Sequence, residues 1–158
     1  MFVIFRTLVY ATLFIGFVLI YLPSRFLAWS GILRPAVLDS PQIVGMIVGS
    51  IGAVIALSCV FTFATLGKGT PAPFDPPRRL VIRGPYRFVR NPMYLGAALA
   101  LAGAAIFFES APLLLYLAIF LLVTHLFVLF YEEPTLRRTF GPEYEAYCHR
   151  VKRWLPGL

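Results

Sequence analysis

Cysteine, histidine and acidic residues are all scarce. The 158 residues hold two cysteines, two histidines and seven Asp or Glu. Cys59 falls inside an apolar run and Cys148 in a polar C-terminal tail, which argues against their pairing. No His/Cys spacing suits a metal ion, so metal chemistry has no ligand set here. Charge of either sign is thin, at 13% of residues, while apolar residues reach 59% and the mean hydropathy is +0.82. Soluble domains are only about 45–50% apolar by a comparable count. No hydrophilic block is long enough to fold alone outside a membrane. The expectation is one all-α integral membrane domain over residues 1–158. A clean small-x-small cleavage site is also missing after the first apolar run, so that run reads as a retained helix, not a signal peptide.

Four spans fit the apolar runs: residues 2–22, 42–66, 93–108 and 112–131. A straight spanning helix needs about 20 apolar residues. The third run is short by that measure. It either crosses part of the bilayer or forms a tight hairpin with the fourth through Glu109, Ser110 and Ala111. Gly45, Gly49 and Gly52 in the second run, and a string of Gly and Ala from Gly96 to Ala105 in the third, suit close helix packing. Internal packing is favoured over a homodimer face, and the oligomeric state stays open.

The formal net charge is +7, and its placement carries the information. Lys68, Arg78, Arg79, Arg83, Arg87 and Arg90 lie between the second and third spans. Arg137, Arg138, Arg150, Lys152 and Arg153 follow the fourth. Only Arg25 and Arg34, partly offset by Asp39, lie between the first two. The positive-inside rule therefore puts loop 67–92 and both termini in the cytoplasm, with a bacterial inner membrane as the expected location. The basic excess reads as orientation and lipid-headgroup contact. Nucleic-acid binding has no soluble basic face or stacking platform to support it.

Residues 84–96, GPYRFVRNPMYLG, join a basic, proline-rich loop to an apolar span. Polar clusters at a membrane edge mark functional sites. Residues 67–77 read as irregular. Residues 78–83 read as an extended stretch along the membrane surface. Pro85 and Pro92 each suit the first position of a helix. Gly84 is a candidate N-cap for a short turn reaching Arg90, and Asn91, extended before proline, a candidate cap for the third span. Unpaired N–H groups at two such starts attract carboxylates or phosphates. Arg87 and Arg90 are either site residues or snorkelling side chains on lipid phosphate. Tyr86 and Tyr94 are either interfacial aromatics or pocket walls.

Glu132 and Glu133 form a second cluster at the end of the fourth span, where a helix C-terminus disfavours negative charge. Either Pro134 opens a new helix there, or a carboxylate meets a cationic or hydroxyl-bearing ligand. His125 precedes Glu132 by seven residues, which puts both near one helical face. The tail carries a helical stripe of Tyr144, Tyr147, Cys148 and Val151, and Trp154 suits an interface anchor. That tail is expected to fold back as a lid or wall.

Together, residues 84–96, His125, Tyr131-Glu132-Glu133-Pro134, Phe140-Gly141 with Tyr144 and Tyr147, and Arg153-Trp154-Leu155-Pro156 resemble the isoprenylcysteine carboxyl methyltransferase and phospholipid methyltransferase superfamily. The resemblance runs over roughly residues 67–156. It implies a membrane enzyme that uses S-adenosylmethionine on a lipophilic substrate, a prenylcysteine-like carboxylate or a phospholipid amine. It makes residues 1–66 two supporting spans, and 67–158 the cofactor loop, hairpin and lid. By position, Gly84, Tyr86, Arg90, Asn91, Pro92 and Tyr94 would line the cofactor, with His125, Glu132 and Glu133 opposite. Arg87, Arg90 and Glu132 would be the catalytic residues, Arg87 orienting an anionic substrate head. Asn91 stands where the eukaryotic isoprenylcysteine enzymes usually carry histidine, and an amide cannot take up a proton as imidazole can. Two other readings compete: an NADPH-dependent membrane reductase of sterol-reductase type, and a non-catalytic lipid-binding protein, which leaves Glu132 and Glu133 unexplained.

Overall fold

The computed structural model describes residues 15–31, 38–63 and 80–156, with Val9, Thr12, Leu13 and Thr65 as isolated positions. About half of the first apolar run, and the basic stretch 66–79, lie outside the described residues. Every regular element described is helical. A π-helical turn, Ile15–Tyr21, leads into α1, Leu22–Trp29. Then come α2 (Ser40–Thr62), a 3-10 turn (Gly84–Arg87), α3 (Pro92–Phe107) and α4 (Ala111–Phe127). A second π turn, Val128–Glu132, joins α4 to α5 (Glu133–Phe140), and α6 (Pro142–Arg150) follows.

The antiparallel pair α2 and α3 is the spine of the fold. Its closeness comes from glycine. A Cβ placed on Gly52 would lie 2.4 Å from the Ala100 backbone nitrogen, and one on Gly103 would lie 2.4 Å from that of Gly49. No side chain fits between backbones at that distance, so the small residues set the approach. A polar clamp fixes the register at one end. Asp39 N–H donates to Gln42 Oε1 at 3.1 Å, while Gln42 Nε2 donates to Phe107 O at 3.2 Å and to Glu109 Oε1 at 3.0 Å. Glu109 takes a left-handed φ of 47°, and Ser110 Oγ then accepts from Leu113 N–H to start α4. A tight connection through these residues, one of the two alternatives for the third run, joins α3 to α4.

Both π turns precede a proline by one or two residues. Proline has no N–H, and its ring crowds the carbonyl four residues earlier. A helix can absorb this by widening locally to i→i+5 bonding. In the first case the position five residues before Pro23 is Val18, whose carbonyl therefore loses its helical donor. Tyr116 Oη of α4 supplies the replacement at 2.8 Å. The same tyrosine joins Ala97, Ala98, Leu101 and Phe120 in the core between α1, α3 and α4. Helix packing and backbone satisfaction thus meet in one side chain.

Two stretches are long and apolar enough to cross a membrane: Ser40–Thr62 and the continuous Ala111–Phe140. The second helix runs on past Glu132 and Glu133, so the helix does not stop where the apolar run does. At 16 residues, α3 reaches only ~24 Å. Ile43, Ile47, Val54 and Phe61 of α2, with Leu115 and Leu122 of α4, stand exposed. So much apolar surface on one small protein suits contact with lipid.

Candidate active site

Residues 80–82 are the first wall of the site. Their side chains alternate between two sides, as along an extended chain. Val81 packs with Cys59 and Tyr86, while Leu80 and Ile82 pack towards Tyr144, Tyr147 and Val151. This stretch is thus packed against the protein's own helices. Its apolar side chains are used up between α2 and α6. The chain then turns sharply at Gly84, where φ is 62° and an added Cβ would meet Thr62 Oγ1 at 2.9 Å. Gly84 is thus the first residue of the short turn and not its cap, which is Arg83. Tyr86 is buried edge-on to Phe63, at 5.3 Å between rings.

Asn91 occupies the N-cap position of α3, but its side chain makes no cap bond. Its Nδ2 donates instead to Arg153 O, at 3.3 Å. The amide spans from loop to tail. It has company: Arg90 N–H donates to Lys152 O at 3.0 Å, and Tyr147 Oη donates to Tyr86 O at 2.5 Å. Burial pushes the Tyr147 phenol above its ordinary range, so it stays neutral and remains a donor. The tail from α6 onward is thereby strapped across the loop, as a wall.

The π turn decides where the paired glutamates point. Glu133 N–H bonds to Val128 O, five residues back. The extra residue rotates everything downstream by about 100° relative to an unbroken α-helix. His125 and Glu132, expected on one face, are separated by this turn. His125 Nδ1 accepts from Trp154 Nε1 at 3.1 Å. Trp154 is accordingly tied to α4 by its polar tip. Glu132 Oε2 accepts from Tyr94 Oη at 3.1 Å.

Glu133 has a different fate. Arg153 holds it in a two-pronged pair, Nε to Oε1 at 2.7 Å and Nη2 to Oε2 at 2.8 Å. Arg90 Nη1 adds a third contact at 3.0 Å. Two cations thus saturate one buried carboxylate, and the pairing holds Arg153 above its usual pKa range. Arg90 Nη1 also reaches Cys148 Sγ at 2.9 Å, while Arg90 Nε is buried with no partner among the described residues.

These groups enclose a cavity of about 60 Å³, whose polar lining is Tyr86, Arg90, Asn91, Glu132 and Glu133, closed by Tyr144 and Tyr147 with Leu80, Val81 and Leu136. A family profile for phospholipid methyltransferases matches residues 41–143, from the start of α2 to the start of α6. The chain belongs to the phospholipid methyltransferase family. No curated protein and no solved structure gives a significant match. Membership in this methyltransferase family, with the apolar helices, points to a membrane methyltransferase acting on lipid.

Of the family-like residues singled out in the sequence, Tyr86, Arg90, Asn91, Glu132 and Glu133 come together at the cavity. Tyr94 reaches it through Glu132, and Pro92, buried, starts the helix that carries Tyr94. Gly84 shapes the turn beneath. Two residues stand apart. Arg87 is exposed, its guanidinium 4.5 Å over the Phe88 ring. His125 is engaged with Trp154 and does not line the cavity. Sequence reasoning missed the part Arg153 plays, because it registers there only as one more tail cation.

Proposed function

We propose that this protein transfers the methyl group of S-adenosylmethionine to a lipophilic acceptor. On this reading residues 1–158 form a single four-span domain with loop 67–92 and both termini cytoplasmic. The observation that carries it is the division of labour at the cavity. Glu133 is consumed by Arg90 and Arg153, which leaves Glu132 with Tyr94 as its hydrogen-bond partner and Arg90 Nε unpaired among the described residues.

The donor set suits the cofactor. S-adenosylmethionine carries a carboxylate, an ammonium, a ribose diol and a sulfonium whose methyl carbon is electrophilic. Arg90 would hold the carboxylate with its free Nε. Glu132, aligned by Tyr94, would take the ammonium or the diol. Asn91, Tyr86, Tyr144 and Tyr147 complete the wall. The cavity of about 60 Å³ matches one polar end of such a molecule, since whole-ligand pockets run to about 300–1,000 Å³. Displacement at a methyl carbon needs in-line approach and exclusion of water, both of which a strapped, buried site favours.

The acceptor class, carboxylate or amine, is read out by experiment. Purified protein in lipid, given methyl-labelled S-adenosylmethionine and a total membrane lipid extract, is expected to place label in the organic phase. Mass spectrometry of the labelled species then identifies the acceptor. An organic phase without label, from protein that binds the cofactor, contradicts transfer to lipid.

A further inference from the structure

Six cations lie on the two segments that the strap joins: Arg83, Arg87 and Arg90 in residues 80–91, and Arg150, Lys152 and Arg153 in residues 150–156. Neither segment contains an acid. The structure sorts these cations into two groups. Arg90 and Arg153 turn inward and share Glu133. Arg83, Arg87, Arg150 and Lys152 are exposed, and among the described residues none of them meets a carboxylate. Arg150 Nε donates to a carbonyl of its own helix, Ala146 O, at 3.3 Å. Glu145 of α6 is paired with Arg137, at 3.1 Å.

Beside these four cations the seam exposes large apolar side chains. Phe88 is 52% exposed and Leu155 71% exposed. The Arg87 guanidinium lies over the Phe88 ring, which leaves its N–H edges open to an acceptor. Cations without acids, interleaved with exposed apolar side chains at the ends of apolar helices, match the polar–apolar boundary of an anionic leaflet. Water alone accounts for the cations but not for Phe88 and Leu155.

We propose that the seam between residues 83–88 and 150–155 is a docking surface for anionic phospholipid headgroups. Arg87 and Lys152 are its phosphate-facing cations, and Phe88 and Leu155 its insertions into the acyl boundary. Arg90 N–H to Lys152 O ties the two halves together, so the surface exists only while the tail is strapped down. Anionic lipid would then favour the strapped state by mass action. The proposal is independent of methyl transfer.

Trp154, next to Leu155, is the reporter. The chain has two tryptophans, so Trp29→Phe leaves it alone. The protein is placed in nanodiscs in which an equal fraction of the lipid is acyl-brominated phosphatidylglycerol or acyl-brominated phosphatidylcholine. Each Lys or Arg near an anionic surface contributes about 1 kcal/mol, so brominated phosphatidylglycerol is expected to quench at least about twofold more. Arg87→Gln with Lys152→Gln is expected to abolish that preference, and Arg87→Lys with Lys152→Arg to keep it. Equal quenching by both lipids overturns the proposal, as does a preference that survives the double Gln change. Inorganic phosphate is compared with chloride at matched ionic strength. A preference erased by phosphate alone makes the seam a free-phosphate site and overturns the lipid assignment.

Discussion

Arg153 grips both oxygens of Glu133, at 2.7 and 2.8 Å, across twenty residues of chain. This pair converts two adjacent glutamates into two different things. Glu133 is a structural hub that anchors the tail. Glu132 faces the cavity, with Tyr94 Oη on one oxygen.

Glu133→Ala is therefore expected to release the tail. It strands Arg90 and Arg153 beside one another. Breaking a buried ion pair costs about 3–5 kcal/mol, and the partial exposure of Arg153 lowers that to roughly 2–3 kcal/mol. Limited trypsin digestion checks it: cleavage after Lys152 and Arg153 should become rapid in the variant and stay slow in the parent. Equal cleavage rates would mean the strap is held by something else.

The glycines of α2 are predicted to behave unequally. At Gly52 a Cβ meets the Ala100 nitrogen at 2.4 Å, whereas at Gly49 its nearest neighbour is 3.8 Å away. Gly52→Ala should destabilise by about 1–3 kcal/mol or more through overpacking. Gly49→Ala should be neutral, or stabilise by up to about 1 kcal/mol through helix propensity. Unfolding of the two variants in the same detergent separates them, and equal loss in both would place the helix contact elsewhere.

Tyr116→Phe removes the hydroxyl that, among the described residues, reaches Val18 O, the carbonyl orphaned by Pro23. An unsatisfied carbonyl costs about 1–3 kcal/mol when buried, and the part-buried Val18 O falls at the low end of that range. The double change with Pro23→Ala restores a helical donor, so it should recover most of that loss. No recovery would show that Tyr116 contributes through packing alone.

Much of the site was legible in the sequence because its signals are local. Residues 84–96 announce a turn followed by a helix start, and the Gly and Ala runs announce close helix packing. Tyr144, Tyr147 and Val151 form the buried stripe that their spacing indicates. The distant relationships were not legible. No local pattern couples Arg153 to Glu133, or redirects Asn91 from capping α3 to the Arg153 carbonyl. The alignment of His125 with Glu132 assumed 3.6 residues per turn throughout. Pro134 and the π turn before it break that assumption. The two prolines that follow π turns, Pro23 and Pro134, were the available clue to both irregularities.

On the proposed reading Glu132, and not Glu133, meets the methyl donor. Titration calorimetry in lipid with S-adenosylmethionine, its demethylated product S-adenosylhomocysteine, and NADPH tests this. The parent should bind the first two and not NADPH. Loss of a charge-assisted bond worth about 1.5–3 kcal/mol should make Glu132→Gln bind about ten- to a hundredfold more weakly, with its unfolding temperature unchanged. Parental affinity in Glu132→Gln, or heat with NADPH alone, would contradict the account.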